Sequence, residues 1–142
     1  MPIETLVTDR EVAIVREGYE RWNDGDVAGL AALCFSDDIE YQNSPEWPGQ
    51  RVYRGSDAVA RFLREEVAEI IELSEVEIER MQVIGREILI ELMARIRLHD
   101  GQSDIGKIRI FHLARVEGGL VSRVRVYLNE AQALEAAETG SG

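Results

Sequence analysis

The feature that most restricts what this chain can fold into is a change of hydrophobic period near Leu73. Upstream of it, apolar residues recur at the spacing that lines one face of a helix. Val12, Val15, Tyr19 and Trp22 follow the capping box Thr8-Asp9-Arg10-Glu11, and Asn23-Asp24-Gly25-Asp26 stops the run. A second helix is expected from about Asp26 to Phe35, packing Leu30 and Leu33. A third opens at Gly55-Ser56-Asp57 and carries Val59, Phe62, Leu63, Val67 and Ile70 on its apolar face. Residues 39–43 read as a short strand, and residues 44–54, with Pro45 and Pro48, read as loop. Downstream, apolar and polar residues alternate. Val76 and Ile78 interleave with Glu75, Glu77 and Glu79, and Ile88, Ile90, Leu92, Ala94 and Ile96 interleave with the odd-numbered residues from Glu87 to Arg97. Further strands are expected over 106–116 and 121–129. Asp100-Gly101 and Gly118-Gly119 serve as hairpin turns. Helices followed by a strand meander predict an α+β fold rather than a parallel sheet.

A chain of 142 residues can bury a sizeable core without a metal or disulfide, and the reading is one domain over 1–142, ordered from about 7 to 137. Cys34 is the single cysteine and lies in an apolar run, which reads as a buried free thiol. No charged-then-apolar leader is visible and no apolar run approaches ~18 residues, so a cytoplasmic protein without a membrane span is expected. Asp and Glu number 27 against 16 Lys and Arg, a net charge of −11 that repels phosphate backbones and anionic membranes. Nucleic acid and membranes are therefore not expected partners. No metal-ligand spacing, phosphate-binding Gly loop or Ser-His-Asp arrangement is present in the sequence, so neither metal nor cofactor is expected.

The element order, the helix–Trp22-Asn23-Asp24-Gly25-Asp26–helix start, Tyr53-Arg54-Gly55 before the third helix and Val126-Tyr127-Leu128-Asn129 near the end resemble the SnoaL-like and nuclear transport factor 2-like superfamily. The resemblance implies a cone-shaped fold, with three N-terminal helices packed on a strongly bent, mainly antiparallel sheet that encloses a pocket, often as a homodimer. Activities in that superfamily include polyketide cyclisation, steroid isomerisation, dehydration, epoxide opening and plain binding, so fold constrains function weakly.

One segment, Glu40-Tyr41-Gln42-Asn43-Ser44-Pro45, resembles the stretch of limonene-epoxide-hydrolase-like proteins that holds an attacking water through a Tyr and an Asn. Tyr41 and Asn43 sit two apart on a strand and share a face. Arg95 falls at that family's arginine, but the positions of its two aspartates hold Arg97 and Val126, neither of which accepts a proton from water. Glu91 is four residues from Arg95, roughly 13 Å along a strand, too far to rebuild the triad. The resemblance thus implies an incomplete epoxide-opening site. Against the steroid-isomerase pattern, Asn43 stands where a base aspartate is needed, and Tyr19 is one residue from the oxyanion tyrosine.

Two readings of the strand around residues 87–99 compete. Alternation alone turns Ile88, Ile90, Leu92, Ala94 and Ile96 inward. The resemblance turns Leu89, Glu91, Met93 and Arg95 into the pocket and leaves the apolar face to a partner subunit. The second is the expectation carried forward, with a homodimer through Ile90, Leu92 and Phe111. Two-residue turns then place Ile108, Ile110 and His112 beside Met93 and Arg95. On the last strand, strict counting across Gly118-Gly119 favours Arg123, Arg125 and Tyr127 inward, whereas Val124, Val126 and Leu128 are inward if a β-bulge intervenes, which is the choice made. Trp47, between two prolines, is a candidate lid, while Trp22 reads as core.

Candidate catalytic residues are therefore Tyr41, Asn43, Arg95 and His112. The expected pocket lining is Tyr19, Trp47, Leu89, Glu91, Met93, Arg97, Ile110, Val124, Val126 and Leu128. Three functions fit: a cofactor-free isomerase, cyclase, lyase or hydrolase acting on a small apolar molecule, a non-catalytic binder of such a molecule, or a dimeric interaction module.

Overall fold

The structure, a computed structural model, describes residues 7–47, 49–98 and 104–139. His99 and the Asp100-Gly101 turn lie outside the described residues. Helix α1 (Asp9–Asn23) starts on the capping box read from sequence: Thr8 Oγ1 accepts from the Glu11 amide at 3.1 Å, and Glu11 Oε1 accepts from the Thr8 amide at 3.0 Å. The other Glu11 oxygen accepts from Arg86 at 3.2 Å and from the Gly119 amide at 3.1 Å. One buried carboxylate thus ties the start of α1 to two strand hairpins. Helix α2 (Val27–Cys34) is capped by Asp26, whose carboxylate accepts from the Gly29 amide at 2.8 Å.

Strand β1 (Phe35–Gln42) follows directly and pairs with a short β2 (Val52–Arg54), in the segment expected to be loop throughout. The next helical stretch runs as α3 (Ser56–Arg61), a π-turn (Phe62–Glu66) and α4 (Val67–Ile70). Four long strands complete the sheet: β3 (Ile71–Ile84), β4 (Glu87–Leu98), β5 (Asp104–Glu117) and β6 (Leu120–Tyr127). A final helix, α5 (Glu130–Thr139), was not expected from the sequence pattern.

The expectation of three N-terminal helices on a strongly bent sheet is corrected here. Two helices precede the first strand, and the third helical stretch comes only after β2. The six strands lie in the open order β2-β1-β6-β5-β4-β3, neither closed nor strongly curled. Their edges are managed separately instead of being joined. β2 is three residues long. On β3, the Asn23 side chain donates to Val76 O at 2.8 Å and accepts from Val76 N at 2.9 Å, satisfying the backbone groups of that edge at Val76.

The two faces of the sheet carry separate cores. Ile39, Ile88, Ile90, Leu92 and Val116 lie under α1–α4, while Leu89, Phe111 and Leu113 lie under Ala133 and Ala137 of α5. The homodimer face expected through Ile90, Leu92 and Phe111 therefore does not exist as one surface. Ile90 and Leu92 point to one side and Phe111 to the other, and all three are buried within the chain. Among the described residues no helix is long and apolar enough to cross a membrane.

Candidate functional site

A cavity of about 530 Å³ lies between α1–α4 and the inner face of the sheet, within the ~300–1,000 Å³ usual for small-molecule sites. It is formed by the gap between the layers rather than by a curl of the sheet. Helix α1 contributes Gly18, Tyr19 and Trp22, spaced so that they share one face. Gly18 is required by packing: a Cβ there would meet Cys34 Sγ at 2.7 Å. Phe62, Leu63 and Val67 line it from the π-turn and the start of α4, and the β1–β2 loop adds Asn43, Ser44, Glu46 and Trp47.

The sheet decides which side chains enter. Register pairs Ile90 with His112, Leu92 with Ile110 and Ala94 with Ile108, even residue opposite even residue. Leu92, Ala94, Ile96, Ile108, Ile110 and His112 therefore share the cavity face; Leu92 belongs to the apolar core there and Ile110 packs against it. Leu89, Glu91, Met93, Arg95 and Arg97 lie on the opposite face, against the expectation carried from the resemblance. Leu89 is buried under α5, Glu91 pairs with Arg80 and Arg109, and Arg95 and Arg97 are exposed. The apolar alternation prevails because a guanidinium turned inward would lose its hydration in a cavity whose one carboxylate among the described residues, Glu46, is exposed. His112 accordingly neighbours Ile90, not Glu91, Met93 or Arg95.

On β6 the inversion needed for an apolar lining is present. The register shifts between Arg115 and Val116, Ser122 is the extra residue, and Val124, Val126 and Leu128 line the cavity. Arg125 turns away and donates to the buried Glu87 carboxylate at 3.0 Å.

The lining is unusually aromatic for this chain: both tryptophans, two of three phenylalanines and two of four tyrosines face it. Phe62 stacks on Tyr53 at 4.4 Å and stands edge-on to Trp47 at 5.8 Å. Trp47 is held in place from the base of its loop. The Asn43 amide donates to Arg51 O at 2.8 Å, its side chain donates to Gln50 O at 2.9 Å, and Arg51 Nε donates back to Asn43 O at 2.9 Å. Asn43 thus uses one N–H of its side-chain amide to close the loop. Among the described lining residues there is no Lys or Arg, and Glu46, which is exposed, is the one carboxylate.

Inside, the polar groups concentrate in one place. Tyr19 Oη and His112 Nδ1 are 2.7 Å apart, with ring centroids at 5.7 Å. Tyr41 stands edge-on to the same imidazole, centroids 6.5 Å apart. Burial pushes the His112 pKa down to about 4, so the ring is neutral at pH 7, and the same burial raises both phenols well above their usual range. Cys34 also lines the cavity, but burial lifts its thiol to about 11 and it donates to Ile14 O, so it is not a nucleophile at neutral pH. Of the four candidate catalytic residues, the structure brings Tyr41, Asn43 and His112 to one cavity and leaves Arg95 outside it. The reading missed Trp22, Cys34 and Phe62 as lining residues. Helical spacing marked Trp22 and Phe62 as core, and an apolar run marked Cys34 as buried; cavity and core share those signatures. Among the described residues no cluster of three or more His, Cys, Asp or Glu could hold a metal.

The SnoaL-like domain family matches residues 15–124. An NTF2-like protein of unknown function from Burkholderia pseudomallei K96243 is similar at 20% identity and TM-score 0.76, over 90% of this chain and 97% of that one. One from Burkholderia xenovorans LB400 is similar at 23% identity and TM-score 0.67, over 92% and 98%. TerC, co-crystallised with polyporic acid, is similar at 14% identity and TM-score 0.72, over 92% and 100%. These likenesses concern the fold. No curated protein matches the sequence.

Proposed function

The chain belongs to the SnoaL-like domain family, and we propose that it binds a small, mainly apolar, uncharged molecule in the cavity, with Tyr19, Tyr41 and His112 as its polar end. The observation that carries this reading is the pairing of an apolar, aromatic-lined space of about 530 Å³ with one internal group of neutral hydrogen-bonding side chains. A charged ligand would lose its hydration there and meet no opposite charge deeper than Glu46. That TerC was co-crystallised with polyporic acid is in keeping with this use of the fold.

A second reading, a cofactor-free enzyme, is favoured by one feature. An imidazole that burial keeps neutral stands in the cavity with a phenol bound to it, a combination able to relay a proton. Epoxide opening is not part of that reading, because Val126 has no lone pair and no carboxylate accompanies Tyr41 and Asn43 inside. We also propose a homodimer, formed through the ionic part of the outer sheet face that α5 does not cover.

Trp22 and Trp47 are the only tryptophans and both line the cavity, so intrinsic fluorescence reports its occupancy. Nile red and a panel of neutral naphthalene-sized and steroid-sized molecules should give saturable one-site changes that Ala94→Trp, a side chain built into the cavity, abolishes. No saturable response from any probe would sink the binding reading. Turnover of a bound member of the panel, lost in His112→Gln, would select the enzyme reading.

A further inference from the structure

We infer that His112 works in this cavity as a hydrogen-bond donor, its Nε2–H and the Tyr41 hydroxyl forming a clamp for an acceptor oxygen, a carbonyl above all, with Tyr19 as the positioning residue that sets the tautomer. The inference deepens the binding reading above and rests on it.

Its starting point is the hydrogen bond between Tyr19 Oη and His112 Nδ1 at 2.7 Å. A neutral imidazole has one donor nitrogen and one acceptor nitrogen, and a phenol has one proton to give. If Nδ1 carried the proton, it would donate to Tyr19, and the Tyr19 proton would then need an acceptor elsewhere. Among the described residues Tyr19 has no other hydrogen-bond partner. A buried donor left unsatisfied costs free energy comparable to a lost hydrogen bond. The other arrangement leaves Nε2–H unpaired instead, so the number of unpaired donors is the same in both. The 2.7 Å contact favours Tyr19 donating to Nδ1, because a phenol is the stronger donor and the poorer acceptor of the two groups, and this puts the ring proton on Nε2.

Three consequences follow for a ligand. Nε2–H has no protein acceptor among the described residues, although His112 lines the cavity. Among the described residues the Tyr41 hydroxyl likewise makes no hydrogen bond, and its ring stands edge-on to the imidazole. Both neutral donors are thus left for an oxygen that arrives with the ligand. The Nδ1 lone pair is taken by Tyr19, so the imidazole offers no free basic nitrogen to that oxygen's neighbours. Neutral donors in an apolar wall discriminate by what they would leave unpaired. A molecule without an acceptor atom forfeits both bonds while still displacing whatever satisfied them.

The test uses the whole chain, with imidazole nitrogens labelled by ¹⁵N-histidine, and two neutral probes of one shape: naphthyl methyl ketone and the alkene in which a methylene group replaces its carbonyl oxygen. His99 is removed as His99→Gln to leave one signal. Nitrogen shifts of the free protein should show Nε2 protonated and Nδ1 bare. The ketone should bind about tenfold or more tightly than the alkene, two hydrogen bonds to neutral donors being at stake. Tyr41→Phe should cut that ratio several-fold. Tyr19→Phe should mix the tautomers, which the nitrogen shifts read directly, and cut the ratio as well, with an unchanged circular dichroism spectrum to show that the fold is kept. A proton found on Nδ1, or equal binding of ketone and alkene, would overturn the clamp and leave the binding reading standing. Failure of both probes to bind would count against the binding reading itself.

Discussion

His112 is the residue at which burial has its clearest measurable consequence. In the unfolded chain its imidazole titrates near 6.5, whereas in the folded chain burial lowers the value to about 4. Between those values the unfolded state binds a proton that the folded state refuses, so stability is at its full level above pH 6.5 and falls as pH drops toward 4. Below about 4 both states are protonated and the dependence ends. A difference of this size corresponds to roughly 3 kcal/mol. Urea unfolding of wild type and His112→Gln at several pH values should show wild type losing about that much relative to the variant across this window. Parallel curves would mean that the imidazole is hydrated. Tyr19 and His112 were each visible in the sequence as pocket candidates, but their pairing was not. They stand 93 residues apart on elements whose meeting depends on the β4–β5 register. Asn43 shows the reverse limit: the resemblance of its segment implied a water-holding amide, whereas its side-chain amide donates to Gln50 O and fastens the Trp47 loop.

At the scale of elements, the capping box, the glycine turn at Gly118-Gly119 and the change of period after Leu73 were legible because each is a local rule. Gly118 and Gly119 both adopt positive φ, at 60° and 84°, as a tight hairpin twist requires. The orientation of β4 was legible in the same way, but another reading was carried forward in its place. Its alternation pointed the apolar residues inward, and a resemblance carried residue by residue pointed them outward. The resemblance failed at that step because one slipped position inverts every side chain of a strand. Helix α5 went unread because its buried contacts are alanines, whose small side chains give little periodic signal. Yet Ala133 is fully buried and Ala137 nearly so, against Leu89, Phe111 and Leu113. Ala133→Glu should therefore be severe, costing about 3 kcal/mol or more, because it forces a carboxylate against an apolar sheet face. Circular dichroism and a dye for exposed apolar surface would register α5 leaving the sheet. A variant as stable as wild type would show that α5 does not pack there. The same substitution at exposed Gln132 is the control, expected within about 0.5 kcal/mol.

At the scale of the whole molecule, α5 covers only part of the outer sheet face, and the rest is ionic. β3 presents Glu75 and Glu77, exposed, while β4 and β5 present Arg95 and Lys107, also exposed, with half-buried Met93 between the rows. Neighbouring charges are already paired within the chain, Arg109 with Glu79 and Glu91, and Arg80 with Glu91 and Glu130. Glu75, Glu77, Arg95 and Lys107 form no such pair among the described residues. A two-fold axis through this patch sets the acidic row of one copy against the basic row of the other, since an isologous contact meets its own complement. Net charge works against any such pairing, because each copy carries −11. The two effects separate in a charge reversal. Glu75→Lys with Glu77→Lys makes the chain less negative, so if overall repulsion governed association the variant would dimerise more readily. If the patch governs, like charges now face each other and the dimer is lost. Adding Arg95→Glu and Lys107→Glu restores opposite rows and should restore the dimer. Sedimentation equilibrium at micromolar concentration distinguishes these outcomes, with wild type expected as a dimer, the acidic-row variant as a monomer and the fourfold variant as a dimer again. A wild type that sediments as a 16.0 kDa species throughout would remove the proposal, and an acidic-row variant that associates more strongly would transfer control to net charge.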